Sequence, residues 1–120
     1  MKKVLILEDE QDYVNVLTQL LEPEGFKILV ASTVKEGLNL LEMITPDLLI
    51  VDWNLPDRTG IEFIKEVRAQ KKFRNIRIVM NSIRDAESDQ LTAYLEHVDF
   101  YFTKPIKPEV FLSKIKKILE

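Results

Sequence analysis

Carboxylic acids follow two short apolar segments of this 120-residue sequence. The segment "VLIL" at residues 4–7 runs into Glu8-Asp9-Glu10, and "LLIV" at residues 48–51 runs into Asp52. Two or three carboxylates that come within a few ångströms repel one another and titrate as a coupled group. A hard divalent cation relieves that repulsion, and oxygen ligands with room for water suit Mg²⁺. The pattern therefore predicts a magnesium site wherever the fold brings these acids together.

A hydroxyl and an ammonium group follow two later apolar segments. Asn81-Ser82 come after "IRIVM" at residues 76–80, and Thr103-Lys104 come after "FYF" at residues 100–102. A lysine and a hydroxyl that face the acidic cluster provide donors for a phosphoryl group. Asp52 can then attack phosphorus as a nucleophile while metal and Lys104 neutralise the developing charge. These residue types favour phosphoryl transfer to Asp52.

These side chains meet only if the apolar segments form one sheet. We predict five strands, at residues 4–7, 28–31, 48–51, 76–80 and 98–102. Segments with helical spacing alternate with them, which predicts an α/β fold with a doubly wound parallel sheet. The near-continuous apolar runs fit strands that are covered on both faces. Ligands of such folds bind beyond the carboxyl ends of the strands, where the polar groups described above are expected to lie.

The helical segments differ in how clearly they are patterned. In the first, apolar residues recur with the spacing of a one-faced helix, at Tyr13, Val16, Leu17, Leu20 and Leu21. The last is predicted to begin near Pro108, a favoured first-turn residue, and to turn Phe111, Ile115 and Ile118 inward. Residues 86–95 are weakly patterned, with an apolar face of Leu91, Tyr94 and Leu95. We expect this fourth helix to be loosely held.

Composition narrows the class of protein. The length predicts one domain over residues 1–120. Seventeen Lys and Arg against twenty Asp and Glu give a net charge of −3, which provides no global attraction to nucleic acid. The absence of cysteine excludes disulfides, thiol catalysis and cysteine-based zinc sites. No segment approaches the length of a membrane span or a signal peptide, so a cytoplasmic location is expected.

Four segments together resemble a known family. "VLILEDE", "LLIVDWNLPDRTG", "IRIVMNSIRD" and "VDFYFTKPIKPE" are similar, in order and spacing, to the receiver domain of response regulators in two-component signalling, which includes chemotaxis regulators. The resemblance covers residues 3–119. It implies a flavodoxin-like sheet with strand order 2-1-3-4-5. It also implies that Asp52 accepts a phosphoryl group from a histidine kinase or a phosphotransfer protein.

The resemblance assigns roles to individual residues. It implies that Mg²⁺ is held by oxygen atoms of Glu8, Asp9, Asp52 and the backbone carbonyl of Asn54. It implies that the Ser82 hydroxyl moves toward the phosphoryl group and that Lys104 is its cationic partner. Tyr101 matches the aromatic residue that changes position in the switch, and we expect its ring to withdraw from the surface on phosphorylation.

The same resemblance predicts how the signal leaves the domain. Phosphorylation would change the surface of the fourth helix, fifth strand and fifth helix, and so affect a downstream protein or an attached output domain. A homodimer formed on phosphorylation is a further candidate assembly. Direct binding to nucleic acid or membrane is not expected. The domain would catalyse its own phosphorylation and slow dephosphorylation without being a turnover enzyme.

The sequence departs from the family pattern at three places. Glu8 stands where Asp is usual, which moves the carboxylate by about 1.5 Å, one C–C bond. Ile83 replaces a small residue after Ser82 and is predicted to crowd the phosphoryl site. His97-Val98 replaces a common Gly-Ala pair before the last strand, so that turn is expected to differ in shape.

Other interpretations of these residues stay open at this point. Glu8-Asp9-Glu10 is also typical of a loop that leads into a helix, Ser82 of a helix cap, and Tyr101 of sheet packing. A haloacid-dehalogenase-type phosphatase would need an acid two residues after its nucleophile, where this chain has Asn54. A receiver-like module that never takes phosphate is the main alternative. Dinucleotide binding is disfavoured because three glycines cannot supply a glycine-rich phosphate loop.

Overall fold

The computed structural model describes residues 1–120 as five strands that alternate with five helices. The strands are β1 (Lys3–Leu7), β2 (Lys27–Ala31), β3 (Leu48–Val51), β4 (Arg77–Ser82) and β5 (Phe100–Thr103). The helices are α1 (Gln11–Leu21), α2 (Val34–Met43), α3 (Gly60–Arg68), α4 (Glu87–Leu95) and α5 (Pro108–Ile118). All strands pair in parallel in the order β2-β1-β3-β4-β5. The predicted fold class and strand order are confirmed.

Helices cover both faces of the sheet, and the pleat of each strand divides its side chains between them. Val4 and Ile6 of β1 belong to the core formed with α1 and α5, whereas Leu5 and Leu7 belong to the core formed with α2, α3 and α4. Successive side chains of a strand point to opposite faces, so every position of the central strand β3 is buried from one side or the other. None of the helices combines the length and the apolar composition that crossing a lipid bilayer requires.

The last two strands differ from their predicted limits. Strand β4 extends through Ser82, and β5 begins at Phe100 although Val98 is apolar and buried. The residues before β5 form a turn, because His97 adopts a left-handed conformation with φ of 66°. The Asp99 carboxylate accepts a hydrogen bond of 2.8 Å from the backbone N–H of Ile78. An apolar residue that is buried by a turn resembles a strand residue in the sequence.

Some apolar residues of α1 and α4 lie at the surface. Helix α1 buries Val14 where the pattern indicated Val16, which is 43% exposed. The apolar face of α4 is outward, since Leu91, Tyr94 and Leu95 are 60%, 41% and 66% exposed and only Ala93 is buried. The small Ala93 side chain is what α4 turns toward the sheet, and the larger side chains are left at the surface. The residues that the sequence groups into the apolar face of α4 therefore lie at the surface.

The loop between β3 and α3 is anchored at two helices. Both carboxylate oxygens of Asp57 accept hydrogen bonds from the first turn of α2, at 2.9 Å from Val34 N and 3.0 Å from Lys35 N. Thr59 caps α3 in a reciprocal capping box with Glu62. Caps of this kind satisfy the free N–H groups that begin a helix. They hold the segment that follows Asp52 in one place.

Candidate functional site

The carboxyl ends of β1 and β3 lie side by side and bring acidic side chains together. Backbone hydrogen bonds continue one residue beyond each strand, from Glu8 N to Ala31 O and from Asp52 N to Leu7 O, both 3.0 Å. Glu8 and Asp52 are buried, and Asp9 is exposed. One carboxylate oxygen from each of the three lies within 4.8 Å of the others, so the cluster can hold a metal ion.

The oxygen donors fit a hard divalent cation that keeps part of its water shell. A cavity of about 260 Å³ opens beside the cluster. It is lined by Asp9, Glu10, Asp52, Asn54, Ile83 and Lys104. Carboxylates on one side and an open cavity on the other are what a small oxygen-preferring cation requires. The cavity also leaves room for a group that approaches Asp52 from solvent.

Lys104 brings a positive charge between the two buried acids. It follows β5, and its backbone N–H donates to Ser82 O at 2.8 Å. Its Nζ lies 2.7 Å from Glu8 Oε1 and 3.2 Å from Asp52 Oδ2, and the side chain is only 8% exposed. Burial alone would lower the pKa of Lys104, but the Glu8 hydrogen bond and the charges of Asp52 and Glu8 outweigh it and raise the pKa. Lys104 is therefore an ammonium ion at neutral pH.

Glu8 uses both carboxylate oxygens. Oε1 accepts from Lys104, and Oε2 accepts from the backbone N–H of Glu10 at 3.1 Å. Burial raises the pKa of Glu8; the Lys104 hydrogen bond opposes that rise, and the charge of Asp52 adds to it. Two acids that share one ammonium ion leave an excess of negative charge, which is the condition that attracts a cation.

Ser82 and Tyr101 lie on the α4 side of the sheet and contact the same backbone segment. The Ser82 hydroxyl is fully buried and accepts a hydrogen bond of 3.2 Å from Arg84 N. The Tyr101 hydroxyl donates to Arg84 O at 2.6 Å. Ser82 does not cap α4, whose N-cap is Ala86. The two residues are thus linked through the backbone N–H and carbonyl of Arg84.

The Tyr101 ring lies inside the protein in this structure. The residue is 5% exposed, and its backbone N–H donates to the Tyr94 hydroxyl at 3.1 Å. The Arg84 carbonyl offers the phenol an acceptor within the protein, which stabilises the buried ring. That the Tyr101 ring moves on phosphorylation stays a prediction.

Arg84 is a site residue that sequence reasoning missed. Its guanidinium lies 4.9 Å from the centre of the Trp53 ring, and Nη2 is 3.4 Å from Asn54 Oδ1. Nη1 lies 3.8 Å from Asp89 of α4. The side chain therefore extends from the residues after Asp52 to the start of α4. No spacing rule indicates such a contact, because it joins two loops that are 30 residues apart.

Gly60 is a second missed residue, and it adjoins Asp52 through the backbone. Its N–H donates to Trp53 O at 2.7 Å. A Cβ at position 60 would overlap the backbone carbonyl of Asp52 and would lie 2.8 Å from Val51 Cγ1. Only glycine allows α3 to begin this close to the end of β3. Steric exclusion therefore explains why the segment "LLIVDWNLPDRTG" ends in glycine.

Replacing Gly60 with Ala is expected to damage fold and site together. The added methyl group would force the backbone of Asp52 to shift, so the free energy of unfolding should fall by about 2–4 kcal/mol. Asp52 should also be displaced, with a loss of metal affinity. Urea unfolding and a Mg²⁺ titration measure the two effects. Gly25→Ala is the matched control, because it is strained at φ of 93° but contacts nothing near the site. Equal metal affinity in both variants would contradict this account.

Comparisons with known proteins agree with this arrangement. The family model described as the response regulator receiver domain matches residues 4–116. The phosphate regulon transcriptional regulatory protein PhoB of Escherichia coli is 32% identical over 118 residues, which are 98% of this chain and 52% of that protein. The alkaline phosphatase synthesis transcriptional regulatory protein PhoP of Bacillus subtilis is 36% identical over 118 residues, which are 98% of this chain and 48% of that protein.

A solved structure shows the same similarity in three dimensions. The crystal structure of a putative response regulator from Chloroflexus aurantiacus superimposes with a TM-score of 0.93 at 25% identity. The match covers 98% of this chain and 97% of that one. The chain spans about half the length of the curated relatives PhoB and PhoP.

Proposed function

The chain belongs to the response regulator receiver domain family, and from that premise we propose that it is a phosphorylation-dependent signalling switch. Asp52 accepts a phosphoryl group from a histidine kinase or a phosphotransfer protein. The observation that carries this proposal is the position of Lys104 Nζ, 3.2 Å from Asp52 Oδ2, beside the acidic cluster. A nucleophile, a cation and a candidate metal site there adjoin one open cavity.

The proposed reaction transfers a phosphoryl group from the donor to the carboxylate of Asp52. A carboxylate oxygen of Asp52 forms a bond to phosphorus, the bond between phosphorus and the donor breaks, and the donor leaves with that electron pair. Lys104 neutralises charge on the phosphoryl oxygens. Mg²⁺ is the proposed cation, and when bound it would supply positive charge that offsets the negative charge of the phosphoryl group. Glu8, Asp9, Asp52 and the backbone carbonyl of Asn54 are the proposed ligands.

The proposed switch begins at Ser82. Phosphoryl oxygens are strong acceptors, so the Ser82 hydroxyl gains a charge-assisted hydrogen bond by turning toward them. It then no longer accepts from Arg84 N, and Arg84 O is the partner of the Tyr101 hydroxyl. A shift of this segment alters the surface of α4, β5 and α5, where Leu91, Leu95 and Val110 are exposed. A downstream protein, an attached output domain or a second copy of the chain would respond to that surface.

Labelling with a small phosphodonor tests the proposal. Acetyl phosphate and Mg²⁺ should give one phosphoryl group per chain by intact mass, and EDTA should prevent it. Sustained release of inorganic phosphate would instead indicate a phosphatase. No labelling, together with no binding of beryllofluoride, would indicate a receiver-like interaction module that is not phosphorylated. Tryptophan fluorescence is a parallel readout, because Trp53 is the single Trp and adjoins Asp52.

Replacing Ile83 with Ala is expected to speed loss of the phosphoryl group by a few-fold. Ile83 lines the cavity beside Asp52, although the side chain is 71% exposed. Its branched side chain should obstruct the in-line approach of water. The decay of labelled protein after removal of acetyl phosphate measures the effect. Ile83→Val is the matched control, because it keeps the branch at Cβ. Equal rates of decay in the parent, Ile83→Ala and Ile83→Val would show that Ile83 does not obstruct the approach of water.

A further inference from the structure

A polar side chain interrupts the apolar run of β4 on the side that faces α1. Asn81 is 1% exposed. Its Nδ2 donates to the Tyr13 hydroxyl at 2.6 Å, and its Oδ1 has no hydrogen-bond partner. A buried amide with an unpaired oxygen costs stability, and an apolar side chain would avoid that cost. The Asn81 side chain thus makes one hydrogen bond, to Tyr13, at a cost in stability.

That contact holds an aromatic ring against the ammonium group of the site. Lys104 Nζ lies 4.3 Å from the centre of the Tyr13 ring. Asn81 projects to the α1 side of the sheet, opposite to its neighbour Ser82. Lys104, which follows β5, lies on the same side as Asn81 and opposite to Tyr101. The ammonium group thus lies among the buried carboxylates of Glu8 and Asp52, the exposed carboxylate of Glu10 at 3.7 Å and one ring face. A cation at this distance from an aromatic face is attracted by its quadrupole.

We propose that Tyr13 is a positioning residue for Lys104 and that Asn81 fixes the Tyr13 ring in that role. The inference rests on the function proposed above and adds two residues to its site. A lysine side chain is flexible and needs contacts to define the place of its charge. Glu8 and Asp52 provide the close contacts in this structure, and Glu10 provides a more distant, exposed one. When Glu8 and Asp52 serve a cation and a phosphoryl group, the Tyr13 ring is the uncharged contact that stays available, beside the exposed Glu10 carboxylate at 3.7 Å, since the ring offers no oxygen charge that a metal would claim.

Beryllofluoride affinity in saturating Mg²⁺ measures the placement of Lys104, and Trp53 fluorescence reports binding. Tyr13→Leu removes the ring and should weaken binding by about 2-fold to about 30-fold, the range of a cation–π contact. Tyr13→Phe keeps the ring face and should retain most of the affinity. In a Lys104→Ala background, Tyr13→Leu should cause no further loss, because the ring then has no cation to place.

Asn81→Leu separates positioning from packing. It removes the unpaired amide, so its urea midpoint should be equal to or higher than that of the parent protein. Its beryllofluoride affinity should nevertheless fall, because nothing fixes the Tyr13 hydroxyl. A residue with a purely structural role would change both quantities in the same direction.

Different outcomes distinguish this inference from the function on which it rests. Failure of the parent protein to bind beryllofluoride overturns the proposed function and the inference with it. Binding by the parent with equal affinity in Tyr13→Leu overturns the inference alone. An equal loss for Tyr13→Leu in the parent and Lys104→Ala backgrounds also overturns it, because the ring would then act on the fold and not through Lys104.

Discussion

Asp52→Asn should abolish labelling by acetyl phosphate while leaving the protein folded. The amide keeps the size of the carboxylate but is not a nucleophile toward phosphorus. Lys104 retains its 2.7 Å contact with Glu8, so no buried charge is left alone. Removal of one of two adjacent acids also relieves repulsion, and the urea midpoint should therefore not fall.

Metal binding should weaken in the same variant. Asp52 is one of the three carboxylates whose oxygens lie within 4.8 Å of each other. Its loss should lower Mg²⁺ affinity by at least about 10-fold, since even outer-shell partners of a metal are worth that much. A Mg²⁺ titration followed by Trp53 fluorescence measures this.

Asp57→Asn is the matched control for Asp52→Asn. Asp57 lies on the same loop, but its oxygens accept hydrogen bonds from Val34 and Lys35 of α2 and do not face the cavity. Burial disfavours the ionised form of Asp57, but the backbone hydrogen bonds together outweigh that effect and lower its pKa. Its variant should lose some stability and keep full labelling. Full labelling of Asp52→Asn, or labelling that EDTA does not affect, would contradict the assignment of the nucleophile.

The acidic cluster could be predicted from the sequence because its position depends on only a few physical rules. Parallel strands that are buried on both faces end at one edge of the sheet, so Glu8 and Asp52 had to come close once the strand order was known. The end of β5 brings Lys104 to the same edge. These positions depend on the backbone, which the apolar pattern describes well.

Side-chain directions across the sheet were harder to predict. The outward face of α4 depends on Ala93 packing against the sheet, and the inward Tyr101 ring depends on an acceptor at Arg84 O. Both are contacts between segments that no local spacing rule relates. The role of Gly60 was not predicted for a similar reason. Glycine is required there because the start of α3 lies against the carbonyl of Asp52.

Ser82→Ala should permit phosphorylation of Asp52 but largely uncouple it from α4, β5 and α5. The nucleophile, the acids and Lys104 are unchanged, so labelling should still reach one group per chain. The phosphoryl group, however, loses the hydroxyl that would move toward it. Without that differential contact, phosphorylation has little means of favouring one arrangement of the Arg84 backbone over another.

The structure gives this prediction a specific reporter. Arg84 N donates to Ser82 Oγ, and Arg84 O accepts from Tyr101, so a displaced Ser82 hydroxyl acts on the segment that holds the buried ring. The expected change is a change in the Tyr101 hydrogen bond and in the packing of α4. With few buried side chains, α4 is suited to such a shift.

Amide hydrogen exchange across residues 84–112, with and without beryllofluoride, measures the coupling. The parent protein should change its protection across this range, and Ser82→Ala should lose most of that response. Loss of one hydrogen bond should lower the stability of Ser82→Ala by only about 1 kcal/mol, too little to unfold the domain. Ser82→Thr retains the hydroxyl and should restore the response, which makes it the matched control. A response in Ser82→Ala as large as that of the parent would show that the signal reaches α4 by another route, for which the Arg84 side chain, stacked on Trp53 and paired with Asp89, is the available connection.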